Sequence, residues 1–244
     1  MATKQNAKRN DDSDQQVRRK TGVAKIDLKS EAVYLHMRGQ AGDALNNSLY
    51  RLGELFKMTN RSANQTTYIK LKEWYENEII SVADNDIDKL VNYFQSLQNE
   101  LAPGYSFIDI KNPVMNLDIS IIHKSHLEVI NIISKIDFVM DDIEAFALSG
   151  SFDDDIEKSS RHQALIILNN ISSKIFKVTK PGKRNGGPFS PVFFLEGLQK
   201  GVFSLYPDAI MNEEINVVNM ESKSEAVLVV EKPTNTDIEL TEVV

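Results

Sequence analysis

Residues 25–29, KIDLK, alternate strictly between charged and apolar side chains. Period two sets Ile26 and Leu28 on one side of a strand and Lys25, Asp27 and Lys29 on the other. Ser30 follows as a helix cap. Two continuations fit the next residues. Either a helix starts at Glu31, or the strand runs on through Val33, Leu35 and Met37. Gly39 and Gly42 punctuate the chain in both cases. Asp43 is the expected cap of a helix in which Leu45, Leu49, Leu52, Leu55 and Phe56 recur at helical spacing.

Helical spacing returns after residues 62–64. Tyr68, Leu71, Trp74, Tyr75 and Ile79 form one stripe, with Trp74 and Tyr75 read as core. Asp84 or Asp86 then caps a further helix carrying Ile87, Leu90, Val91, Phe94, Leu97 and Leu101, which Pro103-Gly104 ends. The pattern shortens between residues 105 and 122. Phe107, Ile108 and Ile110, then Leu117, Ile119 and Ile121, predict two strands around Pro113. Helix resumes over residues 126–147 and breaks at Ser149-Gly150-Ser151. Another spans residues 156–176. A glycine-rich basic loop, VTKPGKRNGGPFSP, leads to a last packed element at residues 192–206.

The expected class is therefore α+β and mainly α: a ribbon-helix-helix-like element ahead of a larger helical body. The expected parts are a flexible basic arm (residues 1–24), the strand-and-helix element (25–60), the helical body (61–207) and an acidic flexible tail (208–244).

Charge sharpens this picture. The 244 residues carry a net charge of -7. Nine acidic residues against two lysines put all of that excess in residues 208–244, so the remainder is neutral overall. Local patches then decide phosphate attraction, because salt screens charges more than about 10 Å apart. The first patch is Arg18, Arg19 and Lys20, beside the strand. The second is Lys174, Lys177, Lys180, Lys183 and Arg184, with no acidic residue from Lys174 to Ser190. Cysteine is absent, which excludes disulfides and thiolate metal sites and suits a reducing cytosol. No apolar run reaches membrane-spanning length. The polar opening MATKQNAKRNDDSDQQ has no secretory character.

Catalytic signatures are missing. The GxxxxGK[ST] order, a nucleophile elbow, a zinc-protease helix and a dinucleotide fingerprint do not occur. His123 and His126 share one helical face but lack a third ligand nearby in sequence, so a surface or half-buried pair is expected. Asp153-Asp154-Asp155 precede a helix and complement its N-terminal dipole. A magnesium-dependent nuclease using these aspartates is the enzymatic alternative.

A two-stranded ribbon on helices reads the DNA major groove with its outward side chains. Lysine donates to guanine O6 and N7, and aspartate accepts from cytosine N4. A lone strand cannot bury its apolar face, so the same reading expects two copies to pair their 25–29 segments antiparallel. The DNA-contacting set is then Arg18, Arg19, Lys20, Lys25, Asp27, Lys29, Lys180, Lys183 and Arg184.

The stretch IDLKSEAVYLHMRGQAGDAL also resembles the start of the AcaB-like family of transcriptional regulators, found in conjugative plasmids and integrating conjugative elements. Members often open with L-R-S-E-A-x-L-x-L-x-T-R-x-A. Leu28, Lys29 (conservatively), Ser30, Glu31, Ala32, Tyr34-Leu35, Arg38 and Ala41 match it. The helices KLKEWYENEI, HKSHLEVINIISKIDFVMDDI and ALIILNNISSKIFKV run in parallel, and the likeness covers roughly residues 25–207. It implies a cytoplasmic, homodimeric, ribbon-helix-helix regulator of double-stranded DNA that activates conjugative transfer genes. Such a regulator would have no cofactor and no enzymatic activity, and would engage the transcription machinery. The rival non-enzymatic reading is a protein–protein adaptor of a conjugation system.

Overall fold

The computed structural model describes residues 20–61, 65–100, 115–179 and 190–206. The chain through Leu205 forms one compact unit, and a second unit begins at Tyr206. The class is α+β, mainly α. Among the described residues its strands are β1 (Gly22–Leu28) and β2 (Met115–Ile121). Its helices are α1 (Glu31–Arg38), α2 (Gln40–Arg61), α3 (Gln65–Tyr75), α4 (Ser81–Asn99), α5 (Ser125–Leu148), α6 (Asp154–Thr179) and α7 (Pro191–Gln199).

The alternation at residues 25–29 is realised as strand. Ile26 and Leu28 are buried, and Lys25 and Asp27 are exposed. The strand starts earlier than the charged alternation suggests, at Gly22, and ends before Lys29. Its partner corrects a central expectation. β1 pairs antiparallel with β2 of its own chain, in the register Gly22↔Ile121, Lys25↔Asp118 and Leu28↔Met115. The apolar face needs no second copy for its burial, because α1, α2 and α5 contact the ribbon.

Ser30 is the helix cap that its position predicts. Its Oγ accepts from the Val33 amide at 3.2 Å, and the chain continues as helix rather than strand. Gly39 then breaks the run with extended backbone. The sharp corner into α2 requires Gly42, where a Cβ would lie 1.7 Å from the Met37 carbonyl oxygen. Asp43 is consequently inside the first turn of α2, which begins at Gln40, and does not cap it. Leu45, Leu49, Leu52, Leu55 and Phe56 are all buried, as their spacing requires. α2 packs on α1 and α6, and α6 also packs on α4 and α5.

The expected caps at Asp84 and Asp86 are not helix starts. α3 passes into α4 through a π-helical turn, Glu76–Ile80, without leaving helical geometry. One wide turn shifts the helix face, so that Trp74, Tyr75, Ile79, Ile87 and Leu90 all reach the core. Asp84 instead binds Lys135 of α5 at 2.7 Å. The predicted strand at residues 107–110 lies outside the described residues. Gly150, at φ 74°, makes the expected break between α5 and α6. Among the described residues, no helix is long and apolar enough to cross a membrane.

Candidate nucleic-acid interface

The ribbon turns one face to the helices and one to solvent. The outward residues of β1 are Val23, Lys25 and Asp27. Their partners across the ladder are Ser120, Asp118 and Asn116, all exposed. Half of this face therefore comes from β2. The alternation of Leu117, Ile119 and Ile121 marks Asn116, Asp118 and Ser120 as outward in sequence, but nothing in the spacing says that they stand beside Lys25.

The face is not basic in itself. Asp118 stands opposite Lys25, and Asp27 adds a second carboxylate. Cations gather instead at one end. Gly22 pairs with Ile121, so Lys20 and Lys124 flank the same end of the ribbon. Lys57 of α2 acts electrostatically on both His123 and His126 there. Arg18, Arg19, Lys180, Lys183 and Arg184 lie outside the described residues. In the second predicted patch Lys174 is paired with Glu78.

The opposite end is acidic and tightly tied. Lys29 is exposed but lies past the strand, with its Nζ 3.7 Å from Asp141. Two carboxylates of α5 collect the backbone donors of the β1–α1 junction. Asp137 accepts from the Lys29 amide at 3.1 Å and from the Ser30 amide at 2.9 Å. Glu144 accepts from Ser30 Oγ at 2.8 Å, from Glu31 N at 3.0 Å and from Ala32 N at 3.1 Å. The first amides of a helix have no intrahelical partner, and a carboxylate there also meets the positive end of the helix dipole. Burial, aided by Asp141 and Glu144, raises the Asp137 pKa above the usual carboxylate value, although the two amides pull it down. Burial raises Asp142 as well.

The histidine pair does not converge on a metal. His123 Nδ1 accepts from the Ser125 amide at 3.2 Å, and its ring stacks on Phe56 at 4.8 Å and 9°. Burial, His126, Lys124 and Lys57 push its pKa down to about 4, so the ring is neutral at pH 7. His126 is buried, with its ring nitrogens against two backbone carbonyls. Asp153, Asp154 and Asp155 sit at the start of α6, where Asp155 pairs with Lys158 at 3.4 Å. Among the described residues no group of three His, Cys, Asp or Glu side chains is placed to hold a metal ion.

No family model matches the chain, and no curated protein matches it. A solved structure to which it is similar is selenomethionine-containing AcaB from uropathogenic E. coli. That likeness has 17% identity and a TM-score of 0.49, and covers 70% of this chain and 92% of that one.

Proposed function

We propose that this protein is a sequence-specific DNA-binding transcriptional regulator whose reading element is the β1–β2 ribbon. The observation that carries the reading is a strand-helix-helix order with one ribbon face buried and the other open. A two-stranded ribbon fits the roughly 12 Å width of the major groove. Its outward groups suit base edges: Lys25 to guanine, Asp27 and Asp118 to cytosine N4, and Asn116 to adenine N6 and N7. Phosphate attraction falls to Lys20 and Lys124 at one end of the ribbon, and to Arg18, Arg19, Lys180, Lys183 and Arg184, which lie outside the described residues.

A second copy completes the element at the other edge of β1. Antiparallel pairing centred on Ile26 sets Lys25 opposite the partner's Asp27, which is the favourable charge match for a symmetric pair. Control of conjugative transfer genes, as an activator, rests on the resemblance of residues 28–41 to the AcaB-like opening.

Fluorescence anisotropy on duplex DNA at two salt concentrations, with and without magnesium, tests this reading. Affinity should fall with salt, and the DNA should stay intact in magnesium. Lys25→Ala combined with Asn116→Ala should erase sequence preference while thermal unfolding is unchanged. Absence of salt-dependent affinity would return the chain to the adaptor reading. Magnesium-dependent cleavage lost on replacing Asp153, Asp154 and Asp155 would make it a nuclease.

A further inference from the structure

His126 stands in the first turn of α5 and is 1% exposed. Its Nδ1 lies 3.1 Å from the Ser120 carbonyl of β2, and its Nε2 lies 2.9 Å from the Leu49 carbonyl of α2. The second contact is unusual, because that carbonyl belongs to the middle of a helix. Gly53 makes it accessible. A Cβ at residue 53 would come within 2.8 Å of His126 Nε2 and 2.7 Å of Ile122 Cγ1. The ring thus reaches backbone on two elements, and both of its nitrogens face acceptors. A neutral imidazole carries one N–H and one lone pair, whereas the cation carries two N–H groups.

We propose that His126 is a proton-sensitive clasp between ribbon strand β2 and helix α2: neutral, it holds one of the two carbonyls from its buried position, and protonation favours the opened state in which β2 lifts and water reaches the ring. The surroundings set its working range. Burial holds the ring below the ordinary histidine pKa, and Lys57 of α2 adds to this, while the two carbonyls oppose it. His123, in the link before α5, stays neutral above about pH 4. Asp118 of β2 is on the exposed face. The clasp is therefore closed at neutral pH and loosens on acidification. With the buried pKa depressed, any state that exposes the ring takes the proton first, so both global stability and the hold of α2 on β2 fall as pH drops from the ordinary histidine value. What loosens is the strand that presents Asn116, Asp118 and Ser120, whatever those residues meet.

NMR on the full chain tests the clasp. Ring nitrogen shifts report the protonation of His126. Amide exchange of residues 119–122, taken as protection relative to α6 amides, reports the hold on β2. Protection should fall several-fold as the ring titrates, since the exposed ring binds the proton more tightly than the buried one. His126→Gln, which carries no titrating group, should give a flat ratio. Gly53→Ala, which crowds the ring away from Leu49, should weaken the response. A ring that keeps one tautomer without titrating across the stable pH range overturns the proposal. So does a flat ratio in the unsubstituted protein, which decides the matter even if neither variant folds.

Discussion

The two ends of the ribbon are held by opposite chemistry. Where β1 runs into α1, one buried and one half-buried carboxylate on α5 gather N–H donors. Where β2 runs into α5, a buried imidazole faces C=O acceptors. Burial disfavours the charged form of both Asp137 and His126. The consequences differ because the groups differ. An ionised carboxylate has acceptor sites to spare, and Asp137 and Glu144 serve the amides of Lys29, Ser30, Glu31 and Ala32 without a change of protonation. An imidazole serves two acceptors only by gaining a proton. One end of the ribbon is tied by ionised carboxylates, and the other is tied while its buried ring stays neutral.

The sharpest way to break this contrast is Asp137→Ala. It strips the Lys29 and Ser30 amides of their partner in a site that is 5% exposed. A loss of about 3 kcal/mol in chemical denaturation is expected, the range for orphaned buried donors. A loss below the usual surface range would mean that water reaches the junction, and that the carboxylate end is no more fixed than the other. Glu144→Ala should cost less, about 1–2 kcal/mol, since Glu31 N is exposed and water replaces part of what is lost.

Acidity separates the two ends further. The raised pKa of Asp137 means that the folded chain holds this proton more tightly than the unfolded one. Its contribution therefore becomes more favourable as pH falls through the raised value towards that of an ordinary aspartate. The stability of the protein relative to Asp137→Asn should improve over that interval, and a relative stability that declines on acidification would contradict it. His123 has the opposite sign. Stability should be lost as pH falls from 6.5 to about 4, and His123→Asn, which retains a capping acceptor for Ser125, should flatten that slope. The smallest effect expected is at the surface pair Lys89–Asp86, where Lys89→Ala should change stability by less than about 0.5 kcal/mol. It serves as the control for charge removed outside the buried junctions.

Much of the architecture was legible because periodicity reports which face is buried. The KIDLK alternation, the leucine stripe of α2 and the Ser30 cap all appear as read. Pairing was not legible. A two-residue period says that Ile26 and Ile119 point inward, but not that their strands are neighbours, and a short strand looks the same whether its partner comes from its own chain or another. The aspartates at 84 and 86 misled for a physical reason. Asp favours caps, yet on an exposed helical face it is tolerated where a lysine answers it, as Lys135 and Lys89 do. Asp137 escaped notice because it lies within an otherwise ordinary amphipathic stripe, and His126, expected at the surface or half-buried, is buried. A charge inside the apolar run IISKIDFVM was the available signal. Of the residues proposed to meet DNA, Lys25 and Asp27 were visible from spacing, whereas Asn116, Asp118 and Ser120 needed the register.

The ladder between residues 22–28 and 115–121 also bears on how the molecule is made. Its first strand leaves the ribosome long before its second, at synthesis rates of roughly 5–20 residues per second. During that interval Ile26 and Leu28 have only α1 and α2 to shelter against, and the backbone edge of β1 waits unpaired. Contacts so distant in sequence form slowly. The nascent ribbon strand is thus the segment on which a chaperone, or a neighbouring nascent chain, has the longest opportunity to act.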